Sequence, residues 1–172
     1  HITEEIAVTL VTQVDYRTGR LHDMYSLTEK AHTNGALCIW DLAHSAGAIE
    51  VELATAKADF AVGCTYKYLN GGPGSPGFIY VAPHLIDNIE PTLSGWLGHA
   101  APFAFAQGYA PGNGIDRMRV GTPPVLALAS LEAALALIAR AAGWREKANI
   151  TQVKTWLRDR GSLGPSLASR LS

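Results

Sequence analysis

Cysteine is scarce in this chain: two of 172 residues, Cys38 and Cys64. One pair cannot staple a small secreted fold. Both stand in apolar runs, Ala36 to Trp40 and Phe60 to Cys64. The expectation is buried free thiols in a reducing compartment, the cytoplasm. No second pair of soft ligands stands at metal spacing, so no metal site is expected. An excess of one charge is also missing. Fourteen Lys and Arg face fifteen Asp and Glu, a formal net charge of −1. Nucleic-acid and anionic-membrane partners therefore lack the basic surface they would need. The longest apolar stretch, Val125 to Ala142, contains Ser130, Glu132 and Arg140 and is too polar and short for a membrane span. A basic segment followed by an apolar one is absent from the start, so no secretion signal is read there. The first residue is His1 rather than Met, and the expectation is a piece of something longer, or a processed chain.

What is present describes a globular domain. Hydrophobic residues make up 48% and charged ones 17%, a composition that buries a core rather than staying disordered. Glu5 to Val14 is nearly all apolar and rich in β-branched residues, as a buried parallel strand should be. A polar turn, Asp15 to Arg20, follows. Tyr25 to Asn34 has helical spacing, with Ser26 as N-cap, Glu29 completing a capping box, and Asn34-Gly35 as the stop. Further short buried strands are read at Ala36 to Trp40, Asp59 to Cys64 and Gly77 to Val81, and a short helix at Pro83 to Ile89. Residues 92–121, rich in Gly, Pro and aromatics, read as a long functional or interface loop. Pro123-Pro124 opens an alanine- and leucine-rich helix to about Ala142. Residues 143–160 read as a basic helix and 161–172 as coil. This order predicts an α/β fold, a mostly parallel sheet flanked by helices. Only three convincing helices are found, so some covering layers are expected to be missing.

Parallel α/β sheets place their chemistry at the carboxyl ends of strands. Asp41 follows Leu37-Cys38-Ile39-Trp40, with His44 three residues on. Lys67 comes just after the run ending in Cys64. One helix-plus-strand excursion separates Asp41 from Lys67, which would bring the two strand ends side by side. A lysine and a carboxylate so placed suit pyridoxal phosphate (PLP). Its aldehyde takes an amine, and its ring nitrogen needs an acid to stay protonated. On pattern alone, Asp41 also reads as a helix cap and Lys67 as a solvated charge.

The local words narrow this. Trp40-Asp41-Leu42-Ala43-His44-Ser45-Ala46-Gly47 and Asp59-Phe60-Ala61-Val62-Gly63-Cys64-Thr65-Tyr66-Lys67-Tyr68-Leu69-Asn70-Gly71-Gly72-Pro73-Gly74 carry a resemblance. They are followed in order by Leu93-Ser94-Gly95-Trp96-Leu97-Gly98-His99 and Arg119-Val120-Gly121-Thr122-Pro123-Pro124. Over residues 5–140 the chain resembles the kynureninases, fold-type-I PLP enzymes of tryptophan catabolism. The resemblance implies the large domain of an aspartate-aminotransferase-like fold. Its central part would be residues 1–142, and residues 143–172 would be a truncated or aberrant tail. It implies Lys67 as the Schiff-base lysine and Asp41 as partner of the ring nitrogen. His44 would lie beside the ring. Tyr66 would be a phosphate ligand and proton donor, Trp96 and Thr122 further phosphate contacts, and Thr12 a cofactor-proximal hydroxyl. Thr122 also reads as the N-cap of the helix entered at Pro123. His99 is left without a role.

The implied reaction is hydrolysis of L-kynurenine, or its 3-hydroxy form, to an anthranilate and L-alanine, in a homodimer whose subunits share sites. The resemblance also implies parts that cannot be placed here: an upstream phosphate-binding segment, a stacking aromatic and a second carboxylate, and a downstream small domain with a carboxylate-binding arginine, for which Arg158 and Arg160 are not nominated. The alternatives are another class V aminotransferase or cysteine desulfurase relative, and an inactive fragment.

Overall fold

The computed structural model describes residues 1–141. The tail readings at 143–160 and 161–172 lie outside the described residues. Six elements follow in order: β1 (Val8–Thr12), α1 (Met24–Thr33), β2 (Leu37–Asp41), β3 (Phe60–Cys64), β4 (Gly77–Val81) and α2 (Val125–Ala141). Three short 3-10 turns, Trp96–Gly98, Pro102–Ala104 and Gly114–Met118, punctuate the segment between β4 and α2. No described helix is long and apolar enough to cross a membrane.

The strands form one sheet in the order β1-β2-β3-β4. β1, β2 and β3 run parallel, and β4 returns antiparallel to β3. Register sets the faces, because paired residues share a side and neighbours along a strand alternate. One face carries Thr9, Cys38, Trp40 and Ala61, and all four are buried. The other carries Val8, Leu10, Leu37, Val62 and Ile79, which are 37 to 67% exposed. The expectation of strands buried on both faces is thus half met: α1 packs against β2, and the opposite face is open among the described residues. Thr12 and Asp41, paired with each other, end their strands on that open face.

The core gathers Met24, Ala31, Ala36, Cys38, Trp40, Leu42, Ala56, Ala58 and Ala61. Trp40 is its largest member, and its indole N–H donates to Thr28 Oγ1 at 2.9 Å, inside the α1–β2 contact. Buried Asp59 stands just before β3. Its Oδ2 accepts the backbone N–H of Cys38 at 2.8 Å and lies 2.8 Å from Nε2 of His32 on α1. One carboxylate therefore joins β2, β3 and α1.

Five local readings are corrected. The N-cap of α1 is Asp23, not Ser26: Asp23 accepts the Ser26 N–H at 3.0 Å and the Ser26 hydroxyl at 2.7 Å. Burial of Met24 and Thr28 draws the helix one residue further back than Tyr25. The Pro83–Ile89 stretch is a run of turns, closed by the bonds Leu85 N–H to Ala82 O and Asn88 N–H to Leu85 O; Asp87 and Asn88 favour turns over helix. Strand β1 covers only the middle of Glu5 to Val14. Cys38 is a buried thiol, but Cys64 is only half-buried, its Sγ 3.7 Å from the Ala43 carbonyl.

Replacing Thr28 by Val keeps shape and removes the acceptor of the buried indole. Chemical denaturation of Thr28→Val is expected to show a loss of about 1–3 kcal/mol, the cost of one buried donor left unpaired. An unchanged midpoint would mean that the Trp40 N–H finds another partner.

Candidate active site

Two tight turns leave the carboxyl ends of β2 and β3 and meet. After Asp41 the chain curls at once. The Ala43 N–H donates to Asp41 Oδ1 at 2.8 Å, and the Ser45 and Ala46 N–H groups donate to the Leu42 carbonyl. That curl raises His44 above the strand end. Gly47 ends it at φ +89°, and a Cβ there would lie 2.5 Å from the Tyr68 carbonyl oxygen. Glycine is what lets the two backbones touch.

The second turn follows β3. The Thr65 hydroxyl donates to the Pro76 carbonyl at 2.5 Å, the Gly71 N–H to the Thr65 carbonyl and the Asn70 N–H to the Lys67 carbonyl, both at 2.9 Å. Lys67 stands on this turn, half-buried, with its Nζ 2.9 Å from His44 Nε2 and 5.4 Å from the centre of the Tyr66 ring. A protonated Lys67 donates to that nitrogen, which leaves the imidazole proton on Nδ1.

Asp41, His44, Tyr66 and Lys67 are thus collected at one edge of the sheet, with Thr12 opposite Asp41 in register. Thr12 is near but engaged: its hydroxyl donates to the Val14 carbonyl at 2.9 Å. Trp96 and Thr122 are not joined to this group by any hydrogen bond or ring contact among the described residues. They belong to a second assembly. A Cβ on Gly95 would fall on the Val120 carbonyl, and one on Gly98 on the Arg119 carbonyl. The 95–98 segment therefore packs backbone to backbone on 119–120, which brings Trp96 and Thr122 into one neighbourhood. There Trp96 meets Phe103 edge to face, and His99 meets Tyr109. Arg117 pins the assembly by donating to the carbonyls of Asp87, Ile89 and Gly112. Thr122 is not the N-cap of α2. The Pro124 carbonyl takes the first bond of that helix, from Leu128 N–H, so Thr122 lies two residues upstream.

Sequence reasoning missed Tyr16. Its ring stacks on His44, centroids 5.7 Å apart and planes 27° apart. The available signal was its place: it follows the carboxyl end of β1, as Asp41 and Lys67 follow β2 and β3. The turn that carries it is held by Asp15, whose carboxylate accepts the N–H groups of Arg17 and Thr18. The Thr18 and Arg17 amides hold the Asp15 carboxyl below its ordinary pKa.

Residues 1–160 match the family model described as aminotransferase class-V. The chain belongs to the class-V aminotransferases. Among curated relatives it is 57% identical over 135 residues to a kynureninase of Deinococcus radiodurans, covering 78% of this chain and 33% of that one. It is 52% identical over 139 residues to a kynureninase of Pseudomonas fluorescens, covering 81% and 33%. The chain therefore spans about a third of the length of these relatives. A cysteine desulfurase from Thermococcus onnurineus NA1 superposes with a TM-score of 0.65 at 27% identity, over 88% of this chain and 38% of its own. The likeness extends over most of the described residues and is one of fold.

In this class-V chain the meeting of the two turns depends on Gly47. Gly47→Ala pairs a left-handed φ with a backbone clash, and it is expected to cost about 1–3 kcal/mol of stability. Thermal unfolding checks it, and a wild-type midpoint would show that the turns do not touch.

Proposed function

We propose that this chain carries the cofactor-holding part of a PLP-dependent kynureninase, which hydrolyses L-kynurenine, or 3-hydroxykynurenine, to an anthranilate and L-alanine in tryptophan degradation. The observation that carries the reading is the Lys67 amine against His44, at the sheet edge where Asp41 ends β2. The relatives at 52 and 57% identity support the reaction.

The residues present fit pyridoxal phosphate. They offer a primary amine for its aldehyde, a carboxylate for its ring nitrogen, an imidazole beside them and a phenol next in sequence. Lys67 would attach the group, Asp41 would hold its ring nitrogen, and His44 and Thr12 would flank it. Tyr66, Trp96 and Thr122 would take the phosphate. Bound there, the cofactor supplies an electron sink for negative charge on the substrate carbons. Lys67, once its amine is free, takes the proton from the substrate Cα. Tyr66 returns a proton at Cβ after water has added to the γ-carbonyl and the Cβ–Cγ bond has broken. The Asp41 carboxylate would hold the proton at the ring nitrogen.

Trp96 and Thr122 stand in their own assembly, which supports a homodimer in which they serve the site of the second copy. The two free thiols support a cytoplasmic location. Residues 1–142 are proposed as the central part of the large domain, with 143–172 as a truncated or aberrant tail. Identities of 57 and 52% to the kynureninases, against 27% to the cysteine desulfurase, favour the kynureninase reading over that relative.

A chimera tests the proposal: residues 5–140 replacing the matching third of the D. radiodurans kynureninase. Anthranilate fluorescence with L-kynurenine is expected within about tenfold of the parent enzyme. Lys67→Ala in the chimera is expected to lower it at least about 100-fold. A folded, PLP-loaded chimera that forms no anthranilate would overturn the reading.

A further inference from the structure

Tyr16 is 75% exposed, yet its ring lies on the His44 imidazole. The turn that presents it is rigid for its length. Asp15 takes the Arg17 N–H at 2.8 Å and the Thr18 N–H at 2.9 Å through its carboxylate. The Asp15 N–H donates to the Arg20 carbonyl, and the Gly19 N–H to the Asp15 carbonyl. Val14 and Leu21 pair across its base. Tyr16 is therefore placed by its backbone rather than by burial.

The His44 ring has few other restraints. Its Nε2 faces Lys67 Nζ. Its Nδ1 has no hydrogen-bond partner among the described residues. Whenever the Lys67 amine is engaged elsewhere, the Tyr16 ring is the described ring contact left to hold the imidazole plane.

We infer that Tyr16 is a positioning residue: its ring fixes His44 so that Nε2 stays aimed at Lys67. The aromatic ring does this, not the hydroxyl. The catalytic meaning of the role rests on the PLP reading above; the contact itself does not. An aromatic contact of this kind corresponds to about a 2- to 10-fold difference in an equilibrium.

The test uses the cofactor-free chain and diethyl pyrocarbonate, with carbethoxylation of each histidine followed by peptide mass spectrometry. His84, 67% exposed at the opposite end of the sheet, is the internal reference. Tyr16→Ala is expected to raise the His44 rate about 2- to 10-fold, with His84 and the thermal midpoint unchanged. Tyr16→Phe is expected to match the wild type. Equal His44 rates in Tyr16→Ala and wild type would overturn the inference, and so would a Tyr16→Phe rate as high as that of Tyr16→Ala. Adding PLP and borohydride separates the two claims. A His44 effect without capture on Lys67 supports the positioning role and sinks the PLP reading.

Discussion

A single buried carboxylate sets the geometry on which the site depends. Asp59 stands at the amino end of β3 and accepts the Cys38 N–H of β2, while the same oxygen meets His32 of α1. A buried carboxylate must have such partners, and leaving it short of one costs about 1–3 kcal/mol. The contact pins β3 against β2 at one end. Five-residue strands then carry the register to the other end, where Asp41 faces Val62. A slip of one residue would turn Asp41 toward the covered face and take it from the Lys67 edge.

From that edge the chemistry is a matter of turns. The Asp41–Gly47 curl and the Thr65–Gly71 turn each close on their own backbone, and Gly47 lets them touch. The sheet supplies direction and the turns supply reach. Neither would place an amine beside an imidazole alone. The open face beneath them carries apolar residues up to the strand ends, so the polar groups stand at its rim and not within the core.

Much of the frame was legible in the sequence, for physical reasons. Strand β4 matches its reading to the residue, because the glycine-rich loop and Pro83 bracket it. Helix α1 is bounded by Asn34-Gly35, with Gly35 at φ +75°. Asp41 and Lys67 could be nominated because strand ends in parallel sheets are local features of the sequence. What the sequence could not show is tertiary. Asp23 and Ser26 are both good caps, and only burial of Met24 decides between them. Tyr16 looks like part of a polar turn until β1 is set beside β2. Trp96 and Thr122 share a neighbourhood only through the 95–98 and 119–120 backbones. The exposed face of the sheet is equally unreadable, since Val8 and Leu10 are as apolar as any buried strand residue.

The central claim is that Lys67, among all lysines of the chain, is built to take an aldehyde. The most direct measurement is peptide mass spectrometry of the folded chain after PLP and borohydride. The account predicts a pyridoxyl group fixed on Lys67, with Lys30, Lys57, Lys147 and Lys154 unmodified at the same PLP concentration. Capture shared evenly among the five lysines, or absent from Lys67, would contradict it.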